Sequence, residues 1–205
     1  MKLYFSPGAC SLSPHIVVRE LGIPLQLEKV DLKAGKTASG RDFLQINPKG
    51  YVPALELDSG DVLTEGPAIV QYLADQKPEA GLAPANGTLA RAHLQEMLNY
   101  ISTELHKTYS PLFNPATSAE TREERKEYLR KRFAYVDTVL AKRRFLLGDQ
   151  FSVADAYLFT VTSWARHVDL DLSGYKALTD FQQRVAARPA VQAAMVEEGL
   201  MKQAS

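Results

Sequence analysis

The order of the secondary structure predicted for the first 74 residues limits the possible folds of this chain more than any other feature. Apolar periodicity and turn residues predict, in order, a strand, a helix, a strand, a short helix, two strands and a helix, at residues 2–5, 11–21, 25–32, 42–45, 53–57, 62–63 and 65–74. A helix connects the first two strands, which implies that they are parallel. Asp58-Ser59-Gly60-Asp61 separates the last two strands and is typical of a hairpin between antiparallel strands.

This is the element order of the thioredoxin fold, so the sequence predicts a thioredoxin-like α/β domain with a four-stranded mixed sheet. Residues 77–87 contain two prolines and two glycines without an apolar period, which indicates a linker. We therefore predict a thioredoxin-like domain at residues 1–77, a linker at 78–86 and an all-α domain at 87–205.

The second half of the chain is predicted to be a helical bundle. Its apolar residues recur at helical spacing in three stripes, namely Leu94, Leu98, Ile101 and Leu105; Leu129, Phe133, Val136 and Leu140; and Tyr157, Val161, Trp164 and Val168. Two helix starts match the capping box, in which a hydroxyl and a carboxylate both accept hydrogen bonds from first-turn amides. They are Thr117 with Glu120, and Ser152 with Asp155.

The charge balance and the single cysteine argue against several classes of function. The chain has 24 basic and 24 acidic side chains, so no bulk field favours nucleic acid or an anionic membrane as a partner. The N-terminus lacks the apolar run of a signal peptide, and no window approaches the ~18 apolar residues of a membrane span. One cysteine cannot form an internal disulfide. These features predict a cytoplasmic protein whose partner is a small molecule.

Cys10 is the first candidate for chemistry because it lies between the first predicted strand and its helix. Backbone amides at a helix start carry partial positive charge and favour a thiolate, and Ser11 adds a hydroxyl at the same place. Position 13 is serine, so no Cys-x-x-Cys motif is present. Any disulfide at Cys10 must therefore form with an external thiol, first of all glutathione. The alternative is a buried, inert thiol.

Two further segments predict a site for a peptide with an amino-acid head group. In thioredoxin-like folds the bond before the strand proline, here Val52–Pro53, is usually cis and exposes the backbone of Val52 to a bound peptide. Glu65 stands at a predicted helix start, where a carboxylate can meet an ammonium while helix amides hold a carboxylate. The alternatives are an ordinary loop at Pro53 and a glutamate that only complements the helix dipole.

A polar stripe follows the helix that is predicted to begin near residue 90. At about 100° per residue, Asn99, Thr103 and His106 lie within about 60° of one another, roughly opposite the apolar stripe that contains Leu94. Such a stripe can line a cleft. For each residue, a solvated helix face is the alternative.

Five separated segments resemble the beta class of bacterial glutathione S-transferases, and the resemblance extends over nearly the whole chain. The segments are residues 7–15 (PGACSLSPH), 47–55 (NPKGYVPAL), 63–75 (LTEGPAIVQYLAD), 104–107 (ELHK) and 148–157 (GDQFSVADAY). The resemblance implies a glutathione transferase fold and a homodimer, with glutathione as the co-substrate and no metal.

The same resemblance assigns roles to individual residues. Cys10 and His106 would lie beside the glutathione sulfur, with the Ser11 hydroxyl as a further stabilising group. The glutathione-binding set that it implies is Cys10, Lys36, Val52, Pro53, Glu65, Gly66, Asn99, Thr103, Glu104, His106 and Lys107. By the helical angle, Glu104 points away from Asn99, which favours a contact with the ligand of the other subunit.

The chain departs from the family pattern at Gly35, a position where the family often has a lysine that helps to bind glutathione. Here only the neighbouring Lys33 and Lys36 can supply a positive charge. If the glycyl carboxylate of glutathione is held at this loop, one of these two lysines has to replace the family lysine, and Lys36 is the candidate.

We predict a glutathione transferase that conjugates the glutathione thiolate with hydrophobic electrophiles such as aryl halides, a reaction of detoxification and xenobiotic metabolism. In a second mode, Cys10 forms a mixed disulfide with glutathione. Two other classes remain open. One is a glutaredoxin-like thiol-disulfide oxidoreductase, which shares only the first domain, and the other is a non-catalytic transferase-like interaction module.

Overall fold

A computed structural model describes residues 1–202, and the chain divides into two compact units. The first unit comprises Met1–Ala80 together with the C-terminal segment from Ala186 onward, and the second comprises Gly81–Val185. The predicted division instead assigned residues 87–205 to the helical domain. The structure differs for the C-terminal segment, because the last helix packs against the first helix of the chain.

The first unit is built on a mixed sheet. Its strands are β1 (Lys2–Phe5), β2 (Gln26–Asp31), β3 (Lys36–Thr37), β4 (Ala54–Glu56) and β5 (Val62–Thr64), in the spatial order β3-β2-β1-β4-β5. β1 and β2 are parallel, as their helical connection predicts, and β4 and β5 are antiparallel, as their hairpin predicts. The predicted number of strands is wrong, since the described residues form five strands rather than four.

The additional strand, β3, is two residues long and pairs antiparallel with β2, with Thr37 opposite Val30. The chain reverses before it at Gly35, whose φ of 66° lies in the left-handed region that favours glycine. The amide of Phe43 donates to the carbonyl of Gly35 at 2.9 Å and closes the loop. A strand this short has no alternating pattern, so the sequence does not reveal it.

Eight α-helices lie within the described residues. They are α1 (Leu12–Leu21), α2 (Gly66–Asp75), α3 (Leu89–Tyr100), α4 (Lys107–Phe113), α5 (Ala119–Leu140), α6 (Val153–Thr162), α7 (Lys176–Ala186) and α8 (Pro189–Glu197). A π-helical segment, Ile101–His106, joins α3 to α4, and 3-10 turns occur at Phe43–Gln45, Pro78–Ala80 and Ser163–Val168. In the first unit, Leu3 of β1, Ile16 of α1 and Leu55 of β4 are fully buried and mark the core.

Polar contacts hold α8 and the residues after it against α1. His15 of α1 is fully buried, with Nδ1 3.0 Å from Glu198 Oε1 and Nε2 2.8 Å from Glu197 Oε2. Arg19 also donates to Glu197, at 2.9 and 2.6 Å. Glu198 accepts a further hydrogen bond from the amide of Gly8, at 2.8 Å, in the loop between β1 and α1. The C-terminal segment is therefore part of the frame that holds this loop.

The second unit is a helical bundle around α6. Every residue of α6 is buried, as is expected for a helix that is apolar all round. The three predicted apolar stripes are confirmed, because all twelve of their residues are buried. Helical periodicity was sufficient to find these core residues, although the first stripe continues from α3 into the π-helical segment and the third continues from α6 into the 3-10 turn at Ser163–Val168.

The two predicted capping boxes have different outcomes. At α6 the box is present: Asp155 accepts from the amide of Ser152 at 2.8 Å and from its hydroxyl at 2.7 Å. At α5 the prediction is wrong by one residue. Ser118, not Thr117, is the N-cap, and its hydroxyl accepts from the amide of Thr121 at 3.2 Å. The amide of Thr117 is instead bonded in a turn that precedes the helix.

Candidate active site

Cys10 lies in the turn between β1 and α1, half-buried, and its Sγ donates to the carbonyl oxygen of Val52 at 3.1 Å. Desolvation by the surrounding protein raises the pKa of Cys10 to about 12, and the backbone amides of Cys10 and Ser11 lower it by less. The nearby carboxylates of Glu65 and Glu198 raise the pKa further. The predicted thiolate is therefore wrong for this structure, in which Cys10 is a neutral hydrogen-bond donor.

The raised pKa predicts slow alkylation of Cys10 near neutral pH. Only the thiolate reacts with iodoacetamide, and an ordinary cysteine with a pKa of roughly 8.5 is about one-tenth ionised at pH 7.5. We expect Cys10 in the folded protein to react at least ~100-fold more slowly than a cysteine peptide at that pH, with a rate that still rises above pH 9. The urea-unfolded chain is the control and should react like the peptide. A rate that reaches its plateau below pH 7.5 would contradict the raised pKa.

Ser11 is fully buried, and its hydroxyl is bound to the backbone of Ser6. The Ser11 Oγ accepts from the amide of Ser6 at 3.2 Å and donates to its carbonyl at 3.3 Å. These bonds close the turn that carries Cys10. The Ser11 hydroxyl is thus engaged in holding this turn, and its predicted catalytic role stays a proposal.

The Val52–Pro53 peptide bond is cis, as predicted. Val52 is buried, and its carbonyl faces the Cys10 thiol. The loop before it is held by Asn47, which is 1% exposed: its Nδ2 donates to the carbonyl of Tyr51 at 2.7 Å and its Oδ1 accepts from the amide of Lys49 at 3.1 Å. Sequence reasoning did not single out Asn47, although an asparagine before Pro-Lys-Gly is a recognisable turn signal.

Glu65 is the N-cap of α2 and has a positive φ of 67°, which is rare for a residue other than glycine. Its Oε1 accepts from Lys49 Nζ at 2.6 Å and from the Tyr51 hydroxyl at 2.9 Å. Gly66 follows as the first residue of α2, so its amide lies at the positive end of the helix. Unusual backbone angles in non-glycine residues cluster at binding sites. Here the positive φ belongs to Glu65, whose carboxylate lies beside the start of α2. Sequence reasoning missed Lys49 and Tyr51 as partners of Glu65.

Lys36 lies in β3 with an exposed side chain, directly after the glycine turn at Gly35. A lysine at position 35 would have to adopt the positive φ that Gly35 has, which is unfavourable for residues with a Cβ. In this chain the glycine therefore matches the backbone conformation of the turn. Lys36 remains the candidate cation of this loop.

In the second unit, the predicted polar stripe falls on the join between α3 and the π-helical segment. Asn99 and Thr103 are exposed, and the Thr103 hydroxyl donates to the Asn99 carbonyl at 3.0 Å. The π-helical turn contains more residues than an α-turn, so the angles calculated at about 100° per residue do not hold beyond Tyr100. Asn99 and Thr103 are exposed, as expected for a polar face, whereas His106, the third residue of the predicted stripe, is half-buried.

Glu104 and Lys107 have different surroundings. The Glu104 carboxylate accepts from the Tyr128 hydroxyl at 2.5 Å and forms an ion pair with Arg132, with Nε 2.8 Å away. Lys107 begins α4 and is exposed. Glu104 is therefore engaged within its own helical unit, whereas its predicted contact with the other subunit's ligand stays a proposal.

His106 ends the π-helical segment and is half-buried among aromatic rings. Its Nδ1 is 2.6 Å from the Tyr157 hydroxyl, and its ring lies 4.8 Å from that of Trp164. The tautomer in which Tyr157 donates to Nδ1 places the imidazole proton on Nε2, which then acts as a donor. Tyr109 and Phe113 extend this cluster, and Phe113 is half exposed. Sequence reasoning missed these two rings, although their spacing of three and seven residues from His106 places them on one helix face.

Among residues 1–202, no helix is long and apolar enough to cross a membrane. The same residues contain no group of three or more histidine, cysteine, aspartate or glutamate side chains placed to hold a metal ion.

Two family models match the chain. The model described as "Glutathione S-transferase, N-terminal domain" matches residues 8–76, and "Glutathione S-transferase, C-terminal domain" matches residues 100–189. The chain is similar to Glutathione S-transferase GstA of Escherichia coli O157:H7, with 47% identity over 200 residues that cover 98% of this chain and 100% of the relative.

Three solved structures are similar over nearly their whole length. The ternary complex of BphK, a bacterial glutathione S-transferase, has a TM-score of 0.96 at 57% identity and covers 97% of this chain and 100% of its own. A sphingomonad glutathione S-transferase complexed with glutathione has a TM-score of 0.95 at 49% identity, with coverage of 98% and 100%. The beta-class enzyme of Sphingomonas chungbukensis has a TM-score of 0.95 at 47% identity, with the same coverage.

Proposed function

This chain belongs to the glutathione S-transferase family, and we propose that it binds glutathione with its thioredoxin-like unit and transfers the glutathione sulfur to a hydrophobic electrophile. Its similarity to a beta-class enzyme and to a glutathione-bound relative supports an enzyme of the bacterial beta class. The finer assignments, which are the site residues, the electrophile, the homodimer and the cytoplasmic location, are our proposals.

The arrangement in the first unit that carries this proposal is the cis Val52–Pro53 bond beside Cys10, combined with Glu65 at the start of α2. The Val52 backbone supplies the partner for the cysteinyl part of glutathione. Glu65 supplies an anion for the γ-glutamyl ammonium, and the Gly66 amide a donor for its carboxylate. Lys36 is the proposed cation for the glycyl carboxylate.

We assign the helical unit the task of stabilising the sulfur and receiving the electrophile. His106, with a proton on Nε2, is a donor to the glutathione thiolate, and Asn99, Thr103, Glu104 and Lys107 are its polar companions around the ligand. Phe113 is half exposed and packs against the buried Trp164, with ring centroids 5.9 Å apart, so its free face offers an apolar surface to an aromatic electrophile.

Conjugation uses the sulfur of glutathione and leaves Cys10 intact. The thiolate attacks the carbon that bears the leaving group, the C–S bond forms, the carbon–halogen bond breaks, and the halide departs with the electron pair. The neutral Cys10 thiol suits this mode, because a protonated thiol donates a hydrogen bond to a neighbouring sulfur. Mass spectrometry of the thioether and measurement of released chloride with an activated aryl chloride test this reaction. Absence of both products would remove the proposed activity toward this substrate class.

The second mode is a mixed disulfide at Cys10. The Cys10 thiol first loses its proton to solvent, and its raised pKa makes the thiolate a minor form near neutral pH. That thiolate attacks one sulfur of oxidised glutathione, a new S–S bond forms, the S–S bond of oxidised glutathione breaks, and one glutathione thiolate leaves. The partial exposure of Cys10 supports this assignment, and the absence of any other cysteine confines the mixed disulfide to this residue.

Replacement of Glu65 by glutamine is expected to weaken the binding of reduced glutathione by about 1.5–3 kcal/mol, or roughly 10- to 150-fold in Kd. The amide retains the size of the side chain but not the charge that meets the γ-glutamyl ammonium. Calorimetric titration measures the effect, with Glu79→Gln on an exposed 3-10 turn as the matched control. An unchanged Kd for Glu65→Gln would exclude Glu65 from the site.

A further inference from the structure

The carboxylate of Glu65 is already paired with an ammonium group of the protein. Lys49 Nζ donates to Glu65 Oε1 at 2.6 Å and to the hydroxyl of Thr64 at 2.9 Å. The Tyr51 hydroxyl donates to the same oxygen of Glu65 at 2.9 Å. An ammonium with these partners has the chemistry of the head group that Glu65 is proposed to receive from glutathione.

The backbone that carries Lys49 is held in place by a buried side chain. Asn47 accepts from the amide of Lys49 at 3.1 Å and donates to the carbonyl of Tyr51 at 2.7 Å. The amide of Gly50 also donates to the Asn47 carbonyl, at 2.9 Å. Lys49 is thus presented to Glu65 by a fixed turn, and only its flexible side chain has to move for the pair to separate.

We propose that Lys49 is an internal competitor for the γ-glutamyl ammonium position, so that glutathione binds by displacing the Lys49 ammonium from Glu65. This inference rests on the proposed function of Glu65 as the γ-glutamyl site. The Lys49 and Glu65 side chains are about half exposed, at 46% and 53%, so the displaced ammonium returns to water at little cost. Lys49 has a long flexible stem and a strongly hydrated charge, which suits such an exchange.

The exchange would make the site selective for ligands with a free γ-glutamyl α-amine. A ligand that carries this ammonium replaces one ion pair with another. A ligand in which the amine is acylated has no charge to offer, so the pair between Lys49 and Glu65 stays closed. Lys49 would then lower the affinity for glutathione in order to exclude ligands without the ammonium.

The test is calorimetric titration of the full chain with reduced glutathione and with its N-acetyl derivative, both at low, matched ionic strength. Lys49→Met keeps a flexible, unbranched side chain of nearly the same length and removes the ammonium group. We expect this variant to bind glutathione about 2- to 5-fold more tightly than the wild type, consistent with the modest strength of an exposed ion pair. Binding of the N-acetyl derivative should stay within about twofold of wild type.

Two controls separate this effect from a general change of charge or loss of folding. Lys142→Met removes an exposed lysine after α5 and should leave the glutathione Kd unchanged. In a Glu65→Gln background, Lys49→Met should have no further effect, since the two residues act as a pair. The thermal melting curve of each variant confirms that it is folded.

Glutathione binding by Lys49→Met that is equal to or weaker than that of the wild type would overturn the inference. An equal gain in affinity for reduced glutathione and for its N-acetyl derivative would also overturn it. The proposed function is judged by separate measurements. If the wild type does not bind glutathione, or if Glu65→Gln binds it as tightly as the wild type, both the γ-glutamyl site and the role of Lys49 fail. If binding depends on Glu65 but not on Lys49, only the role of Lys49 fails.

Discussion

Replacement of Cys10 by alanine is expected to abolish every covalent adduct with glutathione while conjugation continues. Cys10 is the single cysteine of the chain, so a mixed disulfide has no other place to form. Conjugation uses the sulfur of glutathione itself, and the variant loses only a thiol that acts as a hydrogen-bond donor. A lost neutral hydrogen bond of about 0.5–1.5 kcal/mol corresponds to a rate reduced by roughly 2- to 13-fold. Intact-protein mass spectrometry after treatment with oxidised glutathione measures the adduct, and a steady-state assay measures conjugation.

Cys10→Ser is the matched control because serine keeps a hydroxyl donor in reach of the Val52 carbonyl. It should lose the adduct as completely as alanine and keep more of the conjugation rate. An adduct on either variant would contradict the assignment. Complete loss of conjugation in both variants would favour a thiol-disulfide oxidoreductase, in which Cys10 performs the reaction.

Replacement of Asp155 by alanine is expected to lower the free energy of unfolding by about 2–4 kcal/mol. Asp155 is fully buried and accepts from the amide of Leu146 at 2.8 Å, from the amide of Ser152 at 2.8 Å and from the Ser152 hydroxyl at 2.7 Å. Alanine leaves these buried donors without their acceptor at the start of α6, the central helix of the bundle. Desolvation raises the pKa of Asp155 to about 6, because burial disfavours the charged carboxylate. This cost offsets part of the stabilisation from the hydrogen bonds and limits the expected loss of unfolding free energy. Urea unfolding at pH 7.5 measures the difference.

Glu120→Ala is the control for Asp155→Ala, since both are acidic residues in the first turn of a helix. Glu120 is exposed, and the N-cap of its helix, Ser118, is bonded to Thr121. We expect a loss below about 0.5 kcal/mol for this variant. Equal losses for the two variants would mean that helix-dipole effects, rather than the buried box, explain the role of Asp155.

The groups proposed to bind glutathione in the first unit already have protein partners. The Cys10 thiol is bonded to Val52, and the Glu65 carboxylate to Lys49 and Tyr51. Binding of glutathione would therefore be an exchange of partners, and its net free energy is smaller than the sum of the new contacts. For the same reason, removal of the contact between Lys49 and Glu65 is expected to raise the affinity for glutathione.

The sequence by itself determined the features that depend on neighbouring residues. Apolar spacing identified the stripes of the helical unit, because burial on one helix face repeats every three to four residues. The chain order of strands and helices predicted the mixed sheet, and the proline before β4 predicted the cis bond at Val52. The hydroxyl and carboxylate three residues apart predicted the cap of α6.

Tertiary structure alone decided the features that depend on residues far apart in the chain. Glu65 meets a lysine sixteen positions away, and His15 meets Glu198 across nearly the whole chain, so no local pattern predicts either pair. The sequence predicted a lowered pKa for Cys10, whereas the structure raises it. A helix start is visible in the sequence, but the protein atoms that desolvate the sulfur are not. Desolvation is a sum over everything that packs around a group, and only the folded chain determines that sum.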